Sequence, residues 1–178
     1  IKIDNYVEQV LFYARSENVE KDYLIKDVKL SELVNSVIKR NKKDLINKHV
    51  KIELENLEID VASDKKWLEF ILNQIINNAI KYVDETPIIK LFAKQYKDRV
   101  ELMIKDNGIG ILENELNRVF DKGFTGTTGR TKQKSTGIGL YLCKKLCYRL
   151  NHEIKIDSNS HGTVVTLVFP HSSHITLQ

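Results

Sequence analysis

The sequence has little cysteine and no long apolar run, and each shortage excludes a class of protein. Cys143 and Cys147 are the only two cysteines in 178 residues, and no further ligand lies close enough in sequence to complete a metal set. They share a helical face with Leu146 and Leu150, so we expect small buried hydrophobes in a reducing compartment. No stretch approaches the roughly 20 apolar residues of a membrane span, and we expect no signal peptide.

Charge is modest and is not clustered. The formal net charge is +4, and Lys and Arg form no stripe, so nucleic acid is not an expected partner. A small basic excess also suits a domain that holds a polyphosphate. With 42% hydrophobic and 29% charged residues, the chain can build a core, and its length predicts one domain with an appendage. Because the first residue is Ile, we expect a piece of a longer protein.

The apolar periodicity switches between helix and strand along the chain. Ser31 and Asp64 are predicted N-caps of the second and third helices. The predicted helices span 2–16, 31–48, 64–83 and 138–150. The predicted strands span 50–56, 58–62, 87–96, 99–106, 152–157 and 162–169. The sequence therefore predicts an α+β fold, a two-layer sandwich of helices on a mixed, mainly antiparallel sheet.

Two stretches have no clear periodicity. Residues 17–29 are polar and are predicted to be irregular. Residues 107–137 are rich in Gly and Thr, with a short helical patch near 113–119. Loops of that length are usually functional lids or disordered segments.

The stretch "NQIINNAIKY" (73–82) contains four side-chain amides within a helical pattern. On a helical wheel, Gln74, Asn78 and Lys81 lie on one flank of the apolar stripe, with Tyr82 at the same edge. Asn73 and Asn77 lie well round from that flank and are expected to face solvent or a neighbouring element. The first set is either a polar cluster at a cleft margin or a set of ordinary capping groups. An alternative register pairs Glu69 with Asn73, on the flank away from Asn78.

Two glycine segments support the cleft hypothesis. "DNGIG" (106–110) follows a predicted strand, and "STGIGL" (135–140) leads into a predicted helix. Glycines before a helix let backbone N–H groups face an anion, usually phosphate, although each segment alone also fits a tight turn. Together with the amides and a Thr-, Lys- and Arg-containing stretch between them, they offer the parts that phosphoryl chemistry needs.

Five segments in order resemble the boxes of sensor histidine kinases: "NNAIKY", "DNGIG", "VFDKGF", "STGIGL" and "HGTVVT". They look like the N, first glycine, F, second glycine and final glycine-threonine boxes, over residues 64–169. The resemblance implies the ATP-binding fold shared with gyrase, the heat-shock chaperone and the mismatch-repair ATPase, with a flexible ATP lid. "YVEQVLFYARS" and "GFTGTTGR" further resemble small membrane kinases of the bacitracin-resistance, intramembrane-sensing type.

The resemblance implies a role for each matching residue. Asn78, with Gln74, would ligate a Mg²⁺ ion that bridges the ATP phosphates, and Lys81 would contact phosphate. Asp106 would accept a hydrogen bond from the adenine amino group, and Thr166 would lie near it and hold a water. Other nucleotide contacts are implied for Tyr82, Gly108, Gly110, Phe120, Phe124, Thr136, Gly137, Gly139 and Leu140. The lid cations either reach phosphate or form a solvated face: Arg130, Lys132 and Lys134.

The sequence departs from the family pattern at two points. Gln74 stands where most sensor kinases have Asn and where gyrase-like hydrolases have Glu as a general base. An uncharged amide cannot activate water, which favours a kinase over an ATPase. The phosphoacceptor histidine also has no match, since His152 follows the second glycine box and begins a strand. We therefore expect the chain to bind ATP without labelling itself.

These expectations define a domain plan: 1–16 as the end of a dimerisation and phosphoacceptor helix, 17–29 as a linker, 30–170 as the catalytic domain and 171–178 as a frayed tail. The implied partners are the protein's own dimerisation domain in a homodimer, a response regulator and, as a further expectation, a membrane transporter. The implied location is the cytoplasmic side of a cell-membrane protein. Two alternatives stay open, a serine kinase of the anti-sigma type and a non-catalytic domain that binds a partner through its sheet.

Overall fold

The computed structural model describes residues 23–83, 85–127 and 136–171. Within these ranges the strands are β1 (Lys26–Lys29), β2 (Lys51–Glu55), β3 (Asp60–Ser63), β4 (Ile88–Gln95), β5 (Arg99–Asp106), β6 (Glu153–Asn159) and β7 (Gly162–Pro170). The helices are α1 (Leu30–Arg40), α2 (Lys42–Asn47), α3 (Lys65–Lys81), α4 (Glu113–Leu116) and α5 (Gly139–Arg149). None of the helices in the described ranges is both long and apolar enough to span a bilayer.

The main sheet has five strands in the order β2-β4-β5-β7-β6. Strand β2 is parallel to β4, and the other neighbours are antiparallel. Strands β1 and β3 form a separate antiparallel pair. The predicted α+β fold with a mixed, mainly antiparallel sheet is confirmed.

The core lies between one face of this sheet and the helices. Along β5, Leu102 and Ile104 are fully buried, whereas Lys105, the next residue, points to the other face and is exposed. Helix α3 contributes the apolar stripe predicted from its periodicity: Leu68, Ile71, Leu72, Ile75, Ile76 and Ala79 are all buried. Cys143 and Cys147 of α5 are buried in the same core, as predicted.

Helix α3 begins at a side-chain cap. The Asp64 carboxylate accepts hydrogen bonds from the backbone N–H groups of Lys66 at 3.0 Å and Trp67 at 3.2 Å. These are orphan donors at a helix start, so the cap fixes where the helix begins. The prediction of Asp64 as N-cap is confirmed.

The predicted helix 31–48 is wrong in two respects. The segment forms two helices, α1 and α2, that meet at Asn41, and α1 begins at Leu30, so Ser31 is not its N-cap. The Asn41 side chain is buried and donates to the Val37 carbonyl at 2.9 Å and to Asn73 Oδ1 at 2.8 Å. An asparagine side chain that bonds backbone groups in this way competes with helix continuation.

The stretch 17–29, predicted to be irregular, contains strand β1. Three of its four residues are charged, and only Val28 is buried, so the sequence carries almost no apolar alternation. Its regularity comes from pairing with β3, which the local pattern does not encode. Residues 1–16 and most of the tail lie outside the described residues, and the domain plan stays a prediction.

Candidate nucleotide-binding site

Three of the predicted motif segments meet at one end of the fold. The backbone N–H of Ile109 donates to the Tyr82 carbonyl at 3.2 Å, which joins "DNGIG" to the end of α3. Ser63 and His152 contact each other at 2.8 Å, so the start of α3 lies beside the segment that follows α5. Midway along the helices, Cys143 of α5 lies 3.8 Å from the Ile71 carbonyl oxygen of α3, so the two helices run antiparallel. The last turn of α3 and the first turn of α5 consequently lie at the same end as "DNGIG".

Asp106 ends strand β5 at this cleft. Its Oδ1 accepts hydrogen bonds from the backbone N–H groups of Gly108 at 2.9 Å and Thr163 at 3.3 Å. Burial raises the pKa of the carboxyl above its ordinary value, against the lowering effect of those two bonds. Within the described part of the chain, no group bonds to its Oδ2. The carboxylate is thus held firmly by one oxygen and offers the other as an acceptor.

The loop after Asp106 is fixed on both sides. Asn107 Oδ1 accepts from the Ile88 N–H at 2.7 Å, and its Nδ2 donates to the Thr86 carbonyl at 2.8 Å. Gly108 lies so close to α3 that an added Cβ would overlap the Tyr82 carbonyl oxygen. Gly108 is therefore required by close approach of two backbones. The anchoring role of Asn107 was missed from the sequence, although an Asn directly after a strand is a common turn signal.

The four α3 amides fall into the two sets that the helical wheel predicts. Gln74 is buried and Asn78 is half-buried, and Lys81 places its ammonium 5.1 Å from the Tyr82 ring centre. Asn73 is only 2% exposed. Of the two surroundings predicted for it, solvent is wrong and a neighbouring element is right.

The partner of Asn73 is Asn41, on the helix pair α1–α2. That contact turns Asn73 away from the cleft. The alternative register of Glu69 with Asn73 therefore does not lead to the site.

The second glycine segment forms the opposite wall. Gly137 has φ +66° and accepts a backbone hydrogen bond from the Gly123 N–H at 3.0 Å, which closes the base of the intervening loop. Thr136 Oγ1 lies 3.4 Å from the Ile138 N–H. Gly139 and Leu140 are the first residues of α5, whose start receives no side-chain cap from the described residues. The N–H groups of that first turn remain suited to an anion.

Each of the two predicted lid anchors contacts a cation. Lys144 lies over the Phe120 ring at 5.2 Å, and the Arg118 guanidinium lies over the Phe124 ring at 4.6 Å. Phe120 also packs against the hydrophobic core. The lid cations named from the sequence lie outside the described residues: Arg130, Lys132 and Lys134.

The prediction that Thr166 lies near Asp106 is wrong. Asp106 pairs across the sheet with Thr163, whereas Thr166 pairs with Met103. Directly paired residues share a face of the sheet, and side chains three positions apart on one strand point to opposite faces. Thr163 therefore shares the helix-facing side with Asp106, and Thr166 faces the other way, about 10 Å along the strand.

Thr163 is the residue that sequence reasoning missed. It follows directly on Gly162 in the quoted "HGTVVT" segment, which contained two candidate threonines. Only the strand register decides between them.

The donor set suits Mg²⁺ held mostly by phosphate. No cluster of three or more His, Cys, Asp or Glu residues that could bind a metal occurs in the part of the chain that the structure describes. Asn78, half-buried on the last full turn of α3, offers a hard amide oxygen of the kind that Mg²⁺ accepts alongside waters and phosphates. Gln74 lies one turn earlier and is 6% exposed, which leaves it less accessible to an ion in the cleft.

Four histidines lie in the described ranges, one of them in a packed contact and three exposed. His152 is engaged with Ser63 and packs edge-on against Phe169 at 4.8 Å. His49 and His161 are exposed in turns, and His171 is exposed directly after β7. His174 lies outside the described residues.

The family follows from a match over more than half of the chain. Residues 63–173 match the model of the family described as "Histidine kinase-, DNA gyrase B-, and HSP90-like ATPase". The chain belongs to this family. Its matched range contains α3, the two glycine segments and Thr163, so the elements that form the cleft are those that the family shares.

Two curated sensor proteins are similar to nearly the whole length of the chain. The chain is 37% identical over 171 residues to the sensor histidine kinase YxdK of Bacillus subtilis, covering 94% of this chain and 53% of the relative. It is 38% identical over 172 residues to the sensor protein BceS of the same organism, covering 96% and 51%. The chain thus spans about half the length of these relatives. These matches do not favour the anti-sigma or non-catalytic alternatives.

The fold matches that of a solved histidine kinase. The crystal structure of histidine kinase ThkA in complex with the response regulator protein TrrA superposes with a TM-score of 0.75 at 20% identity, covering 96% of this chain and 48% of that one. At that identity the match shows the shared fold.

Proposed function

We propose that the chain is the ATP-binding catalytic domain of a two-component sensor histidine kinase. One observation supports this most directly: Asp106 presents a carboxylate oxygen that has no hydrogen-bond partner among the described residues. It does so at a cleft whose other walls are the end of α3 and the start of α5. An acceptor at one end of a cleft and helix N–H groups at the other suit a ligand with an amino-bearing base and a polyphosphate.

At the base end, Asp106 Oδ2 accepts from the exocyclic amino group, and Tyr82 lines the pocket beside it. Gly108 allows the loop to lie against α3 there. A charge-assisted hydrogen bond in a half-buried place discriminates strongly, because a base that cannot donate leaves the carboxylate without a partner.

The phosphate end is formed by Asn78 and Lys81 on α3 and by the N-terminal turn of α5. A bound Mg²⁺ would neutralise phosphate charge there. Asn78 would hold that ion by its amide oxygen, with Gln74 behind it, and Lys81 would hold a phosphate oxygen. The glycine segment 137–139 contributes backbone N–H groups.

The transfer itself is proposed to be a matter of positioning. The γ-phosphoryl group passes to an imidazole nitrogen of a histidine, so that a P–N bond forms, the P–O bond to ADP breaks and ADP leaves. Gln74 cannot take a proton from water, which favours transfer over hydrolysis. The accepting histidine is proposed to belong to a dimerisation domain, and the phosphoryl group is proposed to pass on to a response regulator.

The surrounding assembly is proposed from the relatives. YxdK and BceS carry the names of sensor proteins. We therefore assign the chain to the cytoplasmic side of a membrane-bound homodimer, with a response regulator as partner and a membrane transporter as a further candidate.

Calorimetric titration with ADP and a non-hydrolysable ATP analogue, with and without Mg²⁺, tests the proposal. The wild-type chain is expected to bind both, and Mg²⁺ is expected to strengthen binding of the analogue. Asp106→Ala should weaken both by roughly 100-fold, since a lost hydrogen bond to a charged group costs about 2–3 kcal/mol. Asp157→Ala, at an exposed carboxylate on β6, is the matched control. Absence of binding in the wild type would refute the proposal.

A further inference from the structure

A row of three polar side chains crosses three adjacent strands at the cleft. Asp106 on β5 pairs with Thr163 on β7, and Thr163 pairs with Ser158 on β6. Cross-strand partners share a face, so all three lie on the helix-facing side of the sheet. Ser158 lies one strand further than Thr163 from the proposed position of the base. It belongs to none of the motifs identified in the sequence.

The hydroxyl group of Ser158 has three close neighbours. It accepts from the Ile111 N–H at 2.9 Å, lies 2.9 Å from the Gly162 carbonyl oxygen and lies 2.8 Å from Thr163 Oγ1. A carbonyl oxygen has no proton to give, so the single proton of Ser158 must point to Gly162. The contact with Thr163 then requires that Thr163 donate its own proton to Ser158.

These hydrogen bonds determine whether the Thr163 hydroxyl group can donate to a ligand. With its proton directed at Ser158, the Thr163 oxygen presents only lone pairs to the cleft. Asp106 likewise presents only an acceptor, because in the described ranges its Oδ2 has no partner and its Oδ1 is taken by two N–H groups. The base end of the cleft therefore carries two neighbouring hydrogen-bond acceptors. A ligand or a water molecule that binds there must donate hydrogen bonds to them.

We propose that Ser158 is a positioning residue that sets the direction of the Thr163 hydroxyl and so makes the site selective for a 6-amino purine over a 6-oxo purine. The proposal rests on the proposed function and deepens it. Without Ser158, Thr163 can rotate and donate to a 6-oxo group or to the water that carries it. Part of the discrimination then disappears even though Asp106 is intact.

A purely structural role for Ser158 makes a different prediction. Through Ile111 and Gly162, Ser158 ties the loop after Asp106 to the β6–β7 turn. If that tie were its whole contribution, its removal would weaken binding of every nucleotide by the same factor. The ratio of two affinities therefore separates the roles, whereas either affinity alone does not.

The test compares ADP with inosine diphosphate, which differ at position 6 in an amino against an oxo group. Calorimetry on the wild-type chain is expected to show a clear preference for ADP. Ser158→Ala should lower the ADP-to-inosine-diphosphate affinity ratio by about 5- to 10-fold. Ser158→Thr should keep the wild-type ratio because it retains the hydroxyl. Ser160→Ala, in the exposed turn of the same hairpin, is the matched control and should change nothing.

A double mutant shows whether Ser158 acts through Thr163. In a Thr163→Val background, the further change Ser158→Ala should leave the ratio where Thr163→Val alone puts it. If Ser158→Ala does not fold, as judged by thermal melting, Ser158→Cys keeps the volume with a weaker acceptor and should show the same reduced ratio.

Two outcomes overturn the inference. Parallel losses for both nucleotides with an unchanged ratio would leave Ser158 a structural tie only, while the proposed function stands. Failure of the wild-type chain to bind either nucleotide would instead refute the proposed function and this inference with it.

Discussion

The ammonium group of Lys48 lies at the end of helix α3, 2.6 Å from the carbonyl oxygen of Ile80. A weaker contact of 3.5 Å reaches the carbonyl of Lys81. Carbonyl groups in the last turn of a helix have no partner within the helix, and a cation there also faces the negative end of the helix dipole. Lys48 thus stabilises the turn that contains Lys81 and follows Asn78.

Replacement of Lys48 by Met is expected to lower the free energy of unfolding by about 1 kcal/mol, because Met keeps the apolar stem and removes the charge and the donor. Chemical denaturation measures the change. Lys43→Met, at an exposed position of α2, is the control and should fall within about 0.5 kcal/mol of wild type. Equal effects of the two substitutions would show that the contact with α3 contributes nothing.

The buried amide pair of Asn41 and Asn73 makes a second stability prediction. Asn73→Ala leaves a buried N–H of Asn41 without its acceptor, and we expect a loss of about 2 kcal/mol. The half-buried Asn77 on the same flank of α3 provides the comparison, and Asn77→Ala should cost well under half as much.

A double-mutant cycle of Asn41→Ala with Asn73→Ala isolates the pair. The second substitution should cost less once the first is present. Additive losses would contradict a direct contact.

The elements of the fold followed largely from periodicity, whereas the exceptions came from contacts distant in sequence. The Asp64 cap, helix α3 and strands β4 to β7 each carry a local signal: a capping residue, a stripe, an alternation or a turn. Asn41 looks like any polar residue inside a helical pattern. Its breaking of the helix depends on Asn73, which lies 32 residues away.

The same distinction explains the candidate site. Asp106 and Gly108 could be predicted because a carboxylate and a glycine directly after a strand have few local alternatives. The sequence could not show which of Thr163 and Thr166 lies beside Asp106. The register of a strand is set by its pairing with neighbouring strands, and a register shift of one residue moves each side chain to the opposite face of the sheet. Ser158 was missed for the same reason, since its role exists only through the pairing of β6 with β7.

Gly137 and Gly123 form a matched pair for testing the base of the loop before α5. Both have positive φ, at +66° and +77°. A Cβ on Gly123 would meet nothing within 4 Å, whereas a Cβ on Gly137 would overlap the Gly123 backbone and the Phe124 carbonyl oxygen. Gly123→Ala should therefore cost only the backbone strain, about 1 kcal/mol.

Gly137→Ala is expected to cost more and also to displace the segment proposed to hold phosphate. Thermal melting measures the first effect. For the second, affinities for adenosine and for the non-hydrolysable ATP analogue are compared. The variant should lose affinity for the analogue at least tenfold more than for adenosine. A uniform loss for both ligands would argue against a phosphate role for residues 137–139.

The buried imidazole of His152 makes the free energy of unfolding depend on pH in the acidic range. Burial lowers the pKa of His152 from 6.5 to about 4, partly offset by a backbone hydrogen bond at Asn151. Well above pH 6.5 the ring is neutral in both the folded and the unfolded chain, so it adds no pH dependence there.

Between pH 6.5 and about 4 the unfolded chain binds a proton that the folded chain does not, so the free energy of unfolding falls as the pH falls. The full shift corresponds to about 3 kcal/mol at most. His152→Gln removes the titrating group and keeps an amide for Ser63. The slope of unfolding free energy against pH, from denaturation series at pH 7, 6, 5 and 4.5, should therefore be shallower in this variant. His161→Gln, at an exposed turn residue, should leave the slope as in wild type, and a wild-type slope in His152→Gln would show that other groups cause the acid sensitivity.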